Sequence, residues 1–259
     1  MAGGLPVRQP TTSAPPLHGR TVVITRPAGT GSALARQVRL RGGVPLLLPG
    51  LALRGIDGAA QVEALKAALA DDVLVFISPA AVRFAARLAP LHTHACVMAV
   101  GQGTARALRR QGVSTPLAPH ERQDSEGLLD HPALADLRGK RVALIGAAGG
   151  RGVLREELTA RSASLRELHV YRRTVPRWQR RQLDAVQDLP QDARVLLSSA
   201  EALGNLRDGL PAAVFDALRK AVAVASSERL AGAAREAGFT RVVIAHSAVG
   251  SDLLAAAAR

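Results

Sequence analysis

The chain has 259 residues and a formal net charge of +13, with 47% hydrophobic but only 2% aromatic residues. That length accommodates one large domain or two of roughly 100–130 residues. Because aromatic residues are so few, the cores must consist mainly of alanine, valine and leucine. No apolar run reaches the roughly 20 residues of a membrane span. The single cysteine, Cys96, excludes an intrachain disulfide and a cysteine-cluster metal site. We expect a cytoplasmic enzyme or binding protein.

The positive charge favours a polyanionic partner, although an arginine-rich composition can also leave a basic surface without a function. The sequence lacks zinc-finger spacing, a basic heptad helix and the aromatic residues on which single-stranded nucleic acids stack. We therefore predict neither a nucleic-acid partner nor a membrane partner, and the charge by itself does not choose between a basic surface without a function and a polycarboxylate ligand.

In chain order, a proline-rich segment precedes a regular alternation of strands and helices. Residues 1–18 contain four prolines and little apolar sequence, which predicts a disordered and dispensable tail. Parallel sheets covered by helices on both faces are predicted from the alternation. The strands are predicted at 21–25, 44–48, 73–77, 95–100, 141–145, 165–171, 195–197, 221–225 and 242–245, and the helices at 32–41, 59–70, from 79, 104–111, 125–129, 153–160, 177–187, 200–206, 212–218, 229–237 and 250–258.

The two halves of the chain resemble each other. Residues 76–79 (FISP) match 196–199 (LLSS), and 23–26 match 144–147, each at a spacing of about 120 residues. A third match joins 100–108 to 224–230. Three matches in the same order predict two similar α/β units. Because open parallel sheets bind ligands at the carboxyl ends of their strands, we expect the two units to face a cleft.

Five predicted strand-to-helix turns offer hydroxyl groups and unpaired backbone N–H groups but few carboxylates. Such turns suit carboxylate or phosphate ligands. Taken alone, each serine is better explained as an ordinary helix N-cap, and the glycines are explained at least as well as residues that let a turn close. The five turns lie at 77–79, 101–104, 146–151, 197–199 and 226–229.

Patterns for several other chemistries are missing from the sequence. The turn at 26–31 reads RPAGTG rather than a dinucleotide-binding glycine pattern, and no phosphate loop or G-x-S-x-G nucleophile turn occurs. The seven histidines show no metal-binding spacing. We therefore predict no metal ion and no organic cofactor.

Taken together, these motifs resemble the uroporphyrinogen-III synthase family over residues 20–258. The resemblance implies two α/β domains joined by a two-stranded β linker, with one domain built from both chain ends. The first domain is expected at 19–50 plus 176–259, the second at 55–167, and the linker strands at 51–54 and 168–175. The matching motifs are TRP at 25–27, VFISPAAV at 75–82, VGQGTARAL at 100–108, DSEGLL at 124–129, the segment 139–151, VYRR at 170–173, LSS at 197–199 and SER at 227–229.

The resemblance also implies an activity and a set of site residues. The family cyclises hydroxymethylbilane, a linear tetrapyrrole with eight carboxylates, losing water and inverting the last pyrrole ring through a spiro intermediate. A monomeric, cofactor-free enzyme that binds this polycarboxylate is expected. The residues implied to bind substrate are Thr25, Arg26, Ser78, Pro79, Gly101, Gln102, Thr104, Ser125, Gly146, Ala147, Arg151, Ser198, Ser199, Ser227 and Arg229.

Tyr171 is the only tyrosine in the chain. Alternation along 165–171 predicts Leu168 and Val170 on the buried face and Tyr171 on the opposite one. The resemblance implies a position beside the cleft, where the protonated phenol can donate a hydrogen bond to the departing hydroxyl group of the substrate. The alternative is a tyrosine that fills a gap near Arg172, with its hydroxyl in water.

Two other functions compete with this interpretation. A two-lobed small-molecule binding protein would also place a cleft between linked lobes, but no secretion signal precedes the first strand. A nucleotide-sugar transferase of two α/β units lacks a recognisable nucleotide motif here. The isomer of the cyclised product distinguishes the synthase from both.

Overall fold

A computed structural model describes residues 17–149 and 152–259, which divide into two compact units. Unit 1 combines the chain up to Ala52 with Thr174–Arg259, and unit 2 comprises Leu53–Arg173. Both contain parallel strands flanked by helices, which confirms the predicted α/β fold class. None of the helices among the described residues is long and apolar enough to cross a membrane.

The described residues form ten strands and eleven α-helices, together with a short 3-10 helix at Pro132–Leu134. The strands are β1 Thr21–Ile24, β2 Val44–Leu47, β3 Ala52–Gly55, β4 Val73–Phe76, β5 Cys96–Ala99, β6 Arg141–Ala147, β7 Ser164–Thr174, β8 Arg194–Leu196, β9 Val222–Ala225 and β10 Val242–Ile244. The helices are α1 Ser32–Leu40, α2 Ala59–Leu69, α3 Pro79–Leu88, α4 Gln102–Arg110, α5 Ser125–Leu129, α6 Val153–Arg161, α7 Arg180–Gln187, α8 Ala200–Gly209, α9 Ala212–Leu218, α10 Glu228–Glu236 and α11 Gly250–Ala258.

Unit 1 is built on a five-stranded sheet in the order β10-β9-β8-β1-β2, and all four strand pairs are parallel. Val23 of β1 packs into one buried cluster, and its neighbours Val22 and Ile24 pack into another. Because successive side chains point to opposite faces of a sheet, both faces of this strand are covered. This burial explains why β1 is a continuous apolar run.

The predicted tail extends too far along the chain. Residues 1–16 lie outside the described part of the chain, but Leu17 is fully buried in the core of unit 1. Its backbone N–H donates to the carbonyl of Arg41 at 2.9 Å, so it anchors the segment before β1 against the end of α1. The packed core of unit 1 therefore reaches back to Leu17 rather than starting after residue 18, while the dispensability of the residues before it stays a prediction.

Unit 2 carries the second five-stranded sheet, in the order β3-β7-β6-β4-β5. Strand β4 is central and buried throughout, with Leu74 and Phe76 in one cluster and Val73 and Val75 in the other. Strands β5, β4, β6 and β7 run parallel. Their carboxyl ends therefore lie along one edge, which we call the carboxyl edge of unit 2.

The chain passes between the two units within β3 and again near the end of β7. Residues 52–55 form β3, which neighbours β7 in the sheet of unit 2, and β7 pairs with β6 as far as Tyr171. The stretches expected as linkers are thus extended and take part in this sheet. A role for them as a separate two-stranded linker stays a prediction.

Candidate functional site

Three of the serines expected at the site are helix N-caps directly after strands. Their extended backbones turn each side-chain oxygen toward an N–H group of the first helical turn, which would otherwise lack a partner. Sequence matching paired Ser78 with Ser198, but the geometric counterpart of Ser78 is Ser199. Ser78 accepts from Ala81 at 3.0 Å, Ser199 from Ala202 at 3.0 Å, and Ser227 from Leu230 at 3.3 Å.

Ser78 also contacts Tyr171 at the carboxyl edge of unit 2. Its hydroxyl oxygen lies 3.2 Å from the phenolic oxygen, within hydrogen-bonding distance. Pro79 follows in the first turn of α3, as predicted, where a missing N–H has no cost. The structure therefore brings together three predicted residues, Ser78, Pro79 and Tyr171.

The ring of Tyr171 is not on an exposed polar face, contrary to the alternation in the sequence. Only 4% of the residue is exposed, and its ring stacks on Phe84 of α3 with the centroids 5.3 Å apart. Phe84 in turn has the guanidinium groups of Arg83 and Arg87 at 5.1 and 5.8 Å from its ring centroid. The ring of Tyr171 is thus held in the core, and its hydroxyl reaches Ser78.

A register shift between β6 and β7 explains this error. Gly146 pairs with His169, but the next residue, Ala147, pairs with Tyr171, so Val170 is passed over in the ladder. An extra residue of this kind breaks the two-residue period of a strand. Val170 and Tyr171 consequently both join the same buried cluster, although they are neighbours in sequence.

The predicted turn at 146–151 begins later than expected. Gly146 and Ala147 are the last residues of β6, because β7 supplies partners that extend the ladder. A Cβ atom on Gly146 would lie 2.2 Å from Cδ1 of Ile77, so that side chain packs directly over the glycine and would have to move to admit a larger residue. Arg151, the expected anion-binding side chain of the turn, lies outside the described residues.

A cavity of about 470 Å³ opens at this edge of unit 2. Of the predicted residues, Ser125, Gly146 and Ala147 line it. Cationic and acidic side chains share its wall, so it can hold a polar ligand with both charged and hydrogen-bonding groups. The charged or titratable residues that line it are Asp124, Glu126, Arg155, Glu156, Glu167, His169 and Arg173.

The glycine-threonine turn before α4 is covered by a side chain that the sequence analysis missed. The N–H of Gln102 donates to Oε1 of Gln123 at 3.0 Å. A Cβ atom on Gly101 would lie 3.1 Å from the same oxygen, so the amide rests directly on this turn. Thr104 is 2% exposed and lies in the first turn of the helix. The first N–H group of α4 therefore already has an amide oxygen as its acceptor.

The remaining predicted residues belong to unit 1, at the carboxyl ends of β1, β8 and β9. Thr25 is fully buried, and its hydroxyl donates to the carbonyl of Leu196 at 2.8 Å. It also accepts the N–H of Ser198 at 3.0 Å, while the hydroxyl of Ser198 donates to the carbonyl of Thr25. Through these hydrogen bonds, the side chain of Thr25 joins the carboxyl ends of β1 and β8. It is not exposed as a group that could bind a ligand.

A cavity of about 310 Å³ lies beside these strand ends in unit 1. Arg26 and Ser198 line it together with Ser226, and Nη2 of Arg26 donates to the carbonyl of Ala248 at 3.2 Å. Ser199, Ser227 and Arg229 are not among its lining residues, and the last two are exposed on the first turn of α10. This cavity offers one guanidinium group and hydroxyl groups, which suit a carboxylate.

Two features of unit 2 were missed, and only one left a signal in the sequence. Phe84 is one of four phenylalanines in the chain and lies two turns after the Ser78-Pro79 helix start, so it could have been identified as a partner for Tyr171. Gln123 left none, because a glutamine in a loop is unremarkable. Among the described residues, no group of three or more side chains is arranged to bind a metal ion.

Comparison with known proteins gives a consistent result. Residues 32–255 match the model of the family described as uroporphyrinogen-III synthase HemD. The chain is 30% identical to the uroporphyrinogen-III synthase of Escherichia coli K12 over 254 residues, which covers 91% of this chain and 99% of that protein. It is 29% identical to the Salmonella typhimurium LT2 enzyme of the same name, with the same coverage.

Solved structures agree at the level of the fold. A mutant uroporphyrinogen III synthase from the extremely thermophilic bacterium Thermus thermophilus is similar with a TM-score of 0.57 and 21% identity, over 92% of this chain and 96% of that one. The uroporphyrinogen-III synthetase of Helicobacter pylori 26695 gives a TM-score of 0.53 and 15% identity, over 91% and 97%.

Proposed function

Because the chain belongs to the uroporphyrinogen-III synthase family, we propose that it cyclises hydroxymethylbilane to uroporphyrinogen III. Water is lost from the hydroxymethyl group, and the last pyrrole ring is inverted. The observation in the geometry that best supports this is the Tyr171 hydroxyl, which lies on Ser78 at the carboxyl edge of unit 2. Open parallel sheets bind their ligands at this edge.

Tyr171 is proposed to assist the departure of water. The C–O bond of the hydroxymethyl group breaks with both electrons going to oxygen, so a hydrogen-bond donor at that oxygen stabilises the developing charge. The cationic azafulvene that remains is attacked by the substituted carbon of the last ring. The spiro intermediate then opens and recloses with the ring inverted, and a ring proton leaves. Formally, the proton and the hydroxide lost from substrate make one molecule of water.

Positioning is proposed to supply the rest of the catalysis. The uncatalysed closure gives the uninverted isomer I, so the protein must hold both ends of a flexible chain in one geometry. Hydroxyl groups and helix-starting turns recur at the strand ends of both units. Arg26 lines the cavity of unit 1, and Arg155 and Arg173 line that of unit 2, where four carboxylates share the wall. These groups are suited to the carboxylates of a linear tetrapyrrole.

The decisive experiment is the isomer composition of the product. Hydroxymethylbilane is incubated with the protein, the porphyrinogens are oxidised, and isomers I and III are separated by chromatography. We expect isomer III to dominate, and isomer I to dominate with heat-denatured protein. Isomer I alone in the presence of folded protein that retains the bilane would indicate a binding protein instead.

The net charge of +13 is expected to accelerate capture of the polyanionic substrate. Exposed charges are screened beyond about 8 Å at physiological ionic strength, so steering weakens as salt is added. We predict that kcat/KM falls steadily as sodium chloride is raised, while kcat changes much less. The measurement is a steady-state salt series, with thermal unfolding as the control for stability. A kcat/KM that does not respond to salt would assign the charge no role in capture.

A further inference from the structure

Ser78 occupies a position between the start of α3 and the hydroxyl of Tyr171. Its oxygen accepts the N–H of Ala81 at 3.0 Å and lies 3.2 Å from the phenolic oxygen. Helix α3 has ten residues, so the N–H groups of its first turn carry the partial positive charge of a full helix end. One hydroxyl thus touches both a helix N-terminus and the group proposed to act on substrate.

Either oxygen could donate in the bond between the two hydroxyls, and a count of donors and acceptors favours Ser78 as the donor. The oxygen of Ser78 already accepts from Ala81, and its own proton needs an acceptor. Among the described residues, the phenolic oxygen of Tyr171 is the acceptor recorded within reach of that proton. When Ser78 donates to Tyr171, the phenolic proton stays available for a third group. The opposite direction would consume the phenolic proton and leave that of Ser78 to solvent.

We propose that Ser78 is a positioning residue that relays the polarisation of the α3 N-terminus to the phenol of Tyr171. The chain runs from the N–H of Ala81 to Ser78, and from the hydroxyl of Ser78 to Tyr171, whose own proton points to the departing hydroxyl of the substrate. Hydrogen bonds in series polarise one another, so each strengthens the next donor. The role in turnover rests on the proposed function, and it reassigns Ser78 from holding a substrate carboxylate.

Burial of the ring makes such a relay geometrically stable. Tyr171 is stacked on Phe84 at an interplanar angle of 21°, and both residues are more than nine-tenths buried. The phenolic oxygen therefore has little freedom to leave Ser78. The backbone of Ser78 is equally fixed, because it is the N-cap of the helix that carries Phe84.

Replacement of Ser78 separates the relay from helix capping. Glycine is a good N-cap and costs only a few tenths of a kcal/mol relative to serine, so Ser78→Gly removes the hydroxyl with little loss of stability. We expect kcat to fall about 10-fold with KM nearly unchanged. Ser78→Thr retains a hydroxyl in an extended backbone and should restore most of kcat. The matched control is Ser162→Ala, which removes a half-buried serine hydroxyl that donates to Leu158 in the same unit and should leave kcat unchanged.

A double-mutant cycle tests whether Ser78 acts through Tyr171. In the Tyr171→Phe background, Ser78→Gly should cause no further loss of kcat, because the relay has lost its end group. Losses that multiply, together with a raised KM in both backgrounds, would instead show that Ser78 holds substrate directly and would overturn the relay.

Spectroscopy tests the same bond without substrate. Because Tyr171 is the only tyrosine, the tyrosine Fermi doublet in a Raman spectrum reports this hydroxyl alone. We expect the signature of a phenol that accepts a hydrogen bond in the wild-type protein and in Ser162→Ala, and its loss in Ser78→Gly. A doublet that is the same in wild type and Ser78→Gly would overturn the relay. Failure of the proposed function would appear separately, as absence of isomer III from the wild-type reaction.

Discussion

Tyr171→Phe is expected to lower kcat by about 10- to 100-fold while KM changes little. The substitution removes the phenolic oxygen and nothing else, so the stacking on Phe84 and the burial of the ring are retained. A donor to the departing oxygen acts in the transition state more than in the bound substrate, which is why the loss falls on kcat. Activity should not vanish, since positioning of the substrate is left intact.

Rates of isomer III formation under saturating substrate give the measurement, with thermal unfolding as the check on folding. The fraction of isomer III among the products should stay high, because the loss concerns the departure of water and not the inversion. A folded Tyr171→Phe protein with nearly normal kcat would remove the hydroxyl from the mechanism. Catalysis would then consist of binding and geometry alone.

Gly50→Ala is expected to destabilise unit 1 by about 2–3 kcal/mol. A Cβ atom at this position would lie 2.6 Å from the carbonyl oxygen of Ala202 and 2.7 Å from its Cβ. Both belong to α8, whose backbone cannot yield as a flexible side chain can. The strain would reach the site, because the N–H of Gly50 donates to the carbonyl of Thr25 at 3.0 Å. We therefore also expect a raised KM.

The same helix supplies a control of opposite sign. Gly204 lies within α8, and a Cβ atom there would meet nothing within 4 Å. Gly204→Ala should stabilise the protein by about 0.5–1 kcal/mol, because alanine loses less backbone entropy in a helix. Denaturant titration of both variants measures the difference. Equal unfolding free energies for Gly50→Ala and wild type would mean that the contact with Ala202 is loose.

The fold was largely predictable because its strands are buried on both faces. Fully buried parallel strands such as β4 and β9 appear as uninterrupted apolar runs, and helices such as α3 and α4 are amphipathic. Helix starts were predictable where a side chain creates them, as with Ser78-Pro79. These signals depend only on residues that are close together in the chain, so a single sequence is enough to detect them.

The site was less predictable because its decisive contacts are not local. The face of Tyr171 depends on a register shift against β6, which is fixed by a partner strand and not by the alternation of β7 itself. The hydrogen-bond acceptor for the first N–H group of α4 is the side chain of Gln123, about 20 residues away in sequence. Thr25 was expected to face a ligand, yet its hydroxyl joins two strand ends whose residues are about 170 positions apart. Pairings at such separations leave no periodic trace.

The pairing of β1 with β8 also has a consequence for synthesis in the cell. Val23 lies opposite Val195, so β1, an interior strand of the unit 1 sheet, leaves the ribosome long before β8, one of its two partner strands, exists. At roughly 5–20 residues per second, the delay is about 9–35 s. Unit 2 is continuous and is complete within that interval. We therefore expect the apolar strand β1 to be bound by nascent-chain chaperones, and slower translation after unit 2 to lengthen its exposure to proteases and to aggregation.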